Sequence, residues 1–175
     1  MAATHQSSSK STNARRTRRT GRRDPLAVTL LKKDHREVEA MFDEYEQLGD
    51  ETEKLALFQE IALALKVHTQ IEEEIFYPAE RGQVEDDLLD EAQVEHDGAK
   101  KLIAEIEGMA PSEPLYDAKV KVLGEYIKHH VKEEEQPGGV FAQAKRGDED
   151  LEAMGKRLKA RKEELMASMG GRNLS

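Results

Sequence analysis

Four stretches of this chain each carry one histidine inside a run of apolar residues spaced three and four apart, and few folds accommodate that pattern. The runs are Leu31, His35, Val38, Phe42, Tyr45; Leu57, Ile61, Leu65, His68, Glu72, Ile75; Leu89, Ala92, His96, Ala99, Ile103, Ile106; and Val120, Leu123, Ile127, His130, Glu134. Such spacing lays the residues along one face of a helix. No segment alternates with period two, so no sheet is expected. Charged residues make up 36% of the chain, enough to wet the opposite faces. Breakers divide the runs: Asp24-Pro25 as a helix start, Gly49-Asp50, Pro78, Gly108 with Pro111, Ser112 as a cap, and Pro137-Gly138-Gly139. The expected helices cover about 25–47, 52–77, 85–107 and 114–136. A last helix over about 148–169, with Leu151, Met154, Leu158, Leu165 and Met166, lies outside them. Long amphipathic helices joined by short connections predict an all-α, antiparallel up-down-up-down four-helix bundle with an additional C-terminal helix.

The charge is unevenly distributed. Residues 1–23 hold Lys10, Arg15, Arg16, Arg18, Arg19, Arg22 and Arg23 and no acid, a charge of +7; the chain's net −9 therefore leaves −16 on the rest. A Ser/Thr/Arg-rich segment with almost no apolar side chains cannot offset its ordering entropy, so 1–23 reads as a disordered basic arm. The bundle is assigned to 24–145, and the C-terminal helix and tail to 146–175. An acidic body is a poor nucleic-acid surface, which leaves the arm as the segment to neutralise phosphates. With no cysteine there is no disulfide, thiolate site or iron–sulfur cluster. No run spans a bilayer and no apolar leader opens the chain, so a cytoplasmic protein without membrane contact is expected.

The stripe histidines are His35, His68, His96 and His130, out of six in the chain. His68 and His130 are each followed by a glutamate four residues on, Glu72 and Glu134, on the same helical face. His68 and His130 are 62 residues apart, as are Glu72 and Glu134, so the chain reads as two helical hairpins, each giving a lone histidine and then His-x-x-x-Glu. Two carboxylates and four imidazoles meeting in one core need positive charge between them. Carboxylates with imidazoles and no sulfur suit iron, or manganese, better than a structural zinc. Six side chains do not fill two octahedral ions, so bridging carboxylates, an oxo or hydroxo bridge and an open position complete the set. His129 with Glu133 shares the same spacing, but His130 continues the better stripe; His129 is placed at the rim or as a donor behind a ligand. Glu73, Glu74, Glu133 and Glu135 read as a solvated face, with Glu73 and Glu133 as spare ligands.

Several motifs together resemble the hemerythrin-like, HHE cation-binding family: Lys33-Asp34-His35-Arg36, His68 through Pro78, Glu95-His96-Asp97, and His129-His130-Val131-Lys132-Glu133-Glu134-Glu135. The resemblance covers roughly residues 24–145. It implies a four-helix bundle with a carboxylate-bridged pair of non-haem iron ions. By motif, the ligands are His35, His68, Glu72, His96, His130 and Glu134, with Glu72 and Glu134 bridging. It also implies binding of dioxygen, sensing of oxygen, iron or nitric oxide, or handling of peroxide. Two departures stand out. Oxygen-carrying hemerythrins have a second histidine four residues after the third-helix ligand, where this chain has Lys100; that argues against reversible oxygen carriage. The family's Phe-Pro close behind the last glutamates is replaced by Gln136-Pro137-Gly138-Gly139-Val140-Phe141-Ala142, which predicts an early end to helix four.

The leading expectation is a non-haem di-iron protein that binds dioxygen or another small diatomic or peroxide ligand, as a sensor or in the response to oxidative stress, and more a binding protein than an enzyme. Two alternatives are a di-iron oxidase or peroxide-consuming enzyme, and a helical interaction protein whose arm binds nucleic acid.

Overall fold

The computed structural model describes residues 23–170; the basic arm, apart from Arg23, lies outside them. Among the described residues the chain is helical, with no strand and one isolated bridge between Arg81 and Val84. The elements are α1 (Leu26–Tyr45), α2 (Glu51–Ile71), a π-helical segment (Glu72–Phe76), α3 (Tyr77–Glu80), α4 (Asp86–Glu107), α5 (Tyr116–Glu135), α6 (Val140–Ala144) and α7 (Leu151–Gly170). Helices α1 and α2 pack as one hairpin and α4 and α5 as the other; α1–α5 and α2–α4 contacts close the bundle. Helix α7 lies along α1 and α2. Gly155 makes this approach possible, because a Cβ there would stand 2.6 Å from the Ala27 nitrogen.

Capping differs from expectation at three places. The Asp24 side chain does not cap α1; it pairs with Lys32 and Lys145, and Pro25 holds the N-cap position. Asp50 caps α2, accepting hydrogen bonds from the amides of Thr52 at 2.9 Å and Glu53 at 3.0 Å. Ser112 caps nothing: α5 begins later, behind Leu115, whose φ of 74° ends the preceding turns.

Pro78 does not stop the second helix. A proline there lacks the N–H for the carbonyl four residues back and crowds it. The chain widens into the π segment instead, the Tyr77 amide reaching the Glu72 carbonyl five residues back. One more helical turn follows before Gly82, at φ 79°, reverses the chain. Helix α5 does end early, at Glu135. Gly139 then folds back so closely that a Cβ would lie 2.1 Å from the Glu133 carbonyl oxygen. That return delivers α6, with Val140, Phe141 and Ala144 buried.

The buried apolar residues form two clusters. One contains Leu31, Ile71, Phe76, Leu89, Phe141, Met154 and Leu158; the other contains Val38, Phe58, Ile61, Ile103, Tyr116, Leu123 and Ile127. His35, His68 and His96 occur in their helices where residues of one cluster give way to residues of the other, and His130 lies near the end of α5, before the chain returns to the first cluster at Val140; a polar layer thus lies between two apolar plugs.

Candidate metal centre

The stripes that build the bundle also set the depth of its polar side chains. His35, His68, Glu72, His96, His130 and Glu134 are all buried, none more than 5% exposed. They converge. The Nε2 atoms of His35 and His68 lie 3.1 Å apart, and those of His96 and His130 lie 3.2 Å apart. The glutamates span the two pairs. Glu72 Oε2 is 3.2 Å from His68 Nε2 and 3.3 Å from His96 Nε2. Glu134 Oε2 is 3.4 Å from His35 Nε2 and 3.7 Å from His130 Nε2. Two sets of donor atoms fall within ion-binding reach of one another: His35, His68, Glu72 and Glu134, and Glu72, His96 and His130.

Each imidazole turns its other nitrogen outward to a carboxylate. His35 Nδ1 donates to Glu135 at 2.8 Å, His130 Nδ1 to Glu95 at 2.8 Å, and His96 Nδ1 to Glu73 at 3.0 Å; His68 Nδ1 faces Asp34 at 3.5 Å. An ionised carboxylate only accepts, so these contacts place the proton on Nδ1 and leave the Nε2 lone pairs pointing inward. Each outer carboxylate is the chain neighbour of one inward residue yet serves a histidine on another helix. Asp34 follows Lys33 and precedes His35 but serves His68; Glu73 adjoins Glu72 and serves His96; Glu95 adjoins His96 and serves His130; Glu135 adjoins Glu134 and serves His35. Consecutive helical residues sit about 100° apart, so the neighbour of an inward side chain faces the next helix.

Behind each outer carboxylate stands a cationic or titratable group: Arg36 on Glu135, Lys162 on Asp34, Lys100 on Glu73 and His129 on Glu95. The expectation of a solvated glutamate face is therefore corrected for Glu73 and Glu135, which belong to this ring. Glu74 pairs with Arg161 of α7, and Glu133 with His129. His129 itself is exposed, while His130 is buried.

Without a cation this geometry is costly. Two imidazoles with lone pairs facing at 3.1 Å repel unless a proton or a metal lies between them. Glu72 Oε1 and Glu134 Oε2 are buried without a hydrogen bond. In the metal-free state protons meet part of this demand. Burial disfavours the imidazolium of His68, but Glu72 and Asp34 outweigh it and raise the group to about 10. His96, likewise opposed by burial, is raised to about 9 by Glu72 and Glu73. Glu72 is held well below the usual carboxylate range, burial being overcome by His68 and His96. Four imidazoles, two shared carboxylates and orphaned oxygens fit cation binding by their own chemistry.

Tyr77 is the site residue that the stripes do not reveal. Its hydroxyl donates to Glu134 Oε1 at 2.9 Å and lies 3.3 Å from His96 Nε2 and 3.4 Å from Glu72 Oε2. In an α-helix, five residues past Glu72 faces away; the π segment brings it back to the same side. The signal available in the sequence was Pro78, read as a stop rather than as the cause of a wider turn.

Comparison with known proteins places these features in context. The family model "Hemerythrin HHE cation binding domain" matches residues 26–137. A solved structure of a hemerythrin HHE cation binding domain-containing protein from Mycobacterium kansasii, described as an Rv2633c homologue, is similar with a TM-score of 0.67 and 26% identity, over 80% of this chain and 86% of that one. A "DNA nickase" of Nostoc sp. (strain PCC 7120) is 27% identical over 142 residues, 81% of this chain; the match spans 40% of that relative's length.

Proposed function

The chain belongs to the hemerythrin HHE cation-binding family, and from that premise we propose that it holds a pair of non-haem iron ions and binds dioxygen or a related small oxygen ligand beside them. His35, His68, Glu72, His96, His130 and Glu134 are the proposed ligands, with Glu72 and Glu134 bridging. The observation that carries this reading is the meeting of four inward lone pairs with two shared, partly orphaned carboxylates in a buried layer. Iron bound there supplies redox-active centres with coordination positions that six side chains leave open. Manganese satisfies the same donors, and metal analysis separates the two.

The chain's own residues set what can approach. The void beside the histidines is about 10 Å³, room for roughly one water. Val38, Leu65, Ile127 and Val131 help to wall it. A centre walled this closely suits a small ligand such as a diatomic or peroxide. Tyr77 keeps a proton at its hydroxyl, because burial, Glu134 and Glu72 all push its ionisation well above the ordinary range. It therefore offers a hydrogen-bond donor inside an otherwise acceptor-rich site. Phe141 stacks on His35 with ring centroids 5.7 Å apart and shields that side from water. No helix among the described residues is long and apolar enough to cross a membrane, and a cytoplasmic setting belongs to the proposal.

Elemental analysis and a visible spectrum of aerobically purified protein test it, with His68→Ala as the control. About two irons per chain are expected, with bands that respond to oxygen or peroxide. Unchanged metal stoichiometry in His68→Ala would overturn the ligand assignment. A spectrum that changes reversibly with oxygen supports binding; steady loss of added peroxide supports the enzymatic alternative.

A second reading rests on a separate observation. The +7 segment at 1–23 precedes an acidic body, and the matched Nostoc relative is called a DNA nickase. We propose that this segment contacts nucleic-acid phosphates without reading sequence. DNA retention in a mobility-shift assay should weaken steeply with salt and vanish on deleting residues 2–22, with metal content unchanged. Retention that survives the deletion would refute it.

A further inference from the structure

Three of the four outer carboxylates are backed by a lysine or an arginine: Arg36, Lys100 and Lys162. The fourth is not. Glu95, which orients His130 through Oε2, has only His129 near its other oxygen, at 3.6 Å. Glu133, four residues after His129, lies 3.1 Å from the same Nε2 atom. Glu91 stands near enough to add like charge to Glu133. Among the described residues, no lysine or arginine makes an ion pair with Glu91, Glu95 or Glu133. Where the repeated architecture elsewhere supplies a fixed positive charge, this corner gathers donors.

Those donors have ligand geometry. Glu95 on α4 and His129 and Glu133 on α5 each offer one atom, and the three atoms lie within 4.8 Å of one another. An imidazole and a carboxylate one helical turn apart, faced by a carboxylate from the adjacent helix, can close on one ion with small rotamer changes. The mixed nitrogen and oxygen set selects a first-row divalent cation over calcium or magnesium, which take oxygen alone. Three protein ligands at a solvent-exposed position leave the remaining positions to water, so the ion exchanges readily. We propose that Glu95, His129 and Glu133 form a surface site for a first-row divalent transition-metal ion, separate from the buried centre and joined to it through Glu95. The bound ion does for the Glu95–His130 contact what Arg36, Lys100 and Lys162 do for the other three. Its donors are independent of whether the buried layer holds iron.

Equilibrium dialysis of the full-length protein, as purified, against zinc tests this. One zinc per chain beyond the buried metal is expected. His129→Gln should abolish it, and Glu133→Gln should weaken it by an order of magnitude, while both variants keep the helical content of the parent by circular dichroism. His129 is exposed, so the substitution leaves the fold intact. Zinc binding that is equal in His129→Gln and the parent, or no binding beyond the buried metal, overturns the proposal. A protein that purifies without iron yet shows His129-dependent zinc would sink the di-iron reading and leave this one standing.

Discussion

Around His35 and His68 the backing groups are Glu135 with Arg36 and Asp34 with Lys162; around His96 and His130 they are Glu73 with Lys100 and Glu95 with His129. Inside, the two halves match: paired Nε2 atoms at nearly equal separation and a glutamate from each His-x-x-x-Glu reaching across. Outside, they differ. Phe141 and the added helix α7 cover the first half, and Asp34 there is almost sealed from water. Glu135 on the first half keeps 20% of its side chain exposed, close to Glu73 and Glu95 on the second at about a quarter, so the sealing is that of Asp34 beneath α7. The inner match follows from two hairpins with the same stripe. The outer difference follows from which element happens to pack there, and α7 lies beyond the residues that the family model matches.

The harshest way to break this comparison is to remove a residue that both halves share. Glu72→Ala withdraws the oxygen lying between His68 and His96. If the layer holds the proposed pair of ions, both should be lost, together with the rise in melting temperature that metal confers, since binding energy would then be folding energy. His96→Ala strips only one half and should leave about one ion per chain, the expectation for a half-site with its own donors. Equal loss in the two variants, read by elemental analysis, would mean that the halves do not bind independently.

Exchange of the backing cations should sharpen the outer difference. Lys162→Met leaves the buried Asp34 carboxylate with only a 3.5 Å contact to His68. Lys100→Met leaves Glu73 able to recruit water. Metal affinity, measured by competition with a chelator, should fall about 10–100-fold for Lys162→Met and clearly less for Lys100→Met. The reverse order would show that α7 plays no part in orienting His68.

How far the sequence alone reveals this centre depends on periodicity. The four stripe histidines, Glu72 and Glu134 are visible because burial repeats every three or four residues, and the structure buries all six together. The outer ring is harder to see. Asp34, Glu73, Glu95 and Glu135 sit beside inward residues in the chain, but their partners are on other helices, and nothing local says so. Lys162 is further removed still, 128 residues from Asp34. Tyr77 escapes because the π segment breaks the period on which the stripes depend. Phe141 escapes because the close return at Gly139 is a tertiary feature.

Tyr77→Phe examines the one donor that sits between the halves. Its hydroxyl is the hydrogen bond that Glu134 Oε1 accepts, so its removal leaves a buried carboxylate oxygen unpaired. The metal-free protein should lose roughly 1–3 kcal/mol in urea unfolding. The metal-loaded spectrum should also shift as the surroundings of Glu134 change. A variant as stable as the parent would imply that water takes the place of the phenol.

The smallest effect expected lies at the edge of the covered half. Glu80 ends α3, just beyond the Phe76 ring that packs on Phe141. It is fully buried, and neither carboxylate oxygen has a hydrogen-bond partner. Burial, with Glu149 adding like charge, raises its carboxyl from 4.5 to about 7. A raised carboxyl means that the folded state holds the proton longer than the unfolded chain does. Its stability is therefore full below about 4.5 and declines as pH rises through about 7. Glu80→Gln keeps the shape and cannot ionise. The difference in melting temperature between variant and parent should be near zero at acid pH and grow to a few degrees in the variant's favour at alkaline pH, about 1 kcal/mol moving a chain of this size by roughly 2–4 °C. The surface site at Glu95 cannot produce such a trend through Glu80, and the substitution leaves the proposed ligands untouched. A pH-independent difference would mean that Glu80 is already ionised in the fold, and the corner beneath Phe141 would then have to hold a charge for which the described residues provide no partner.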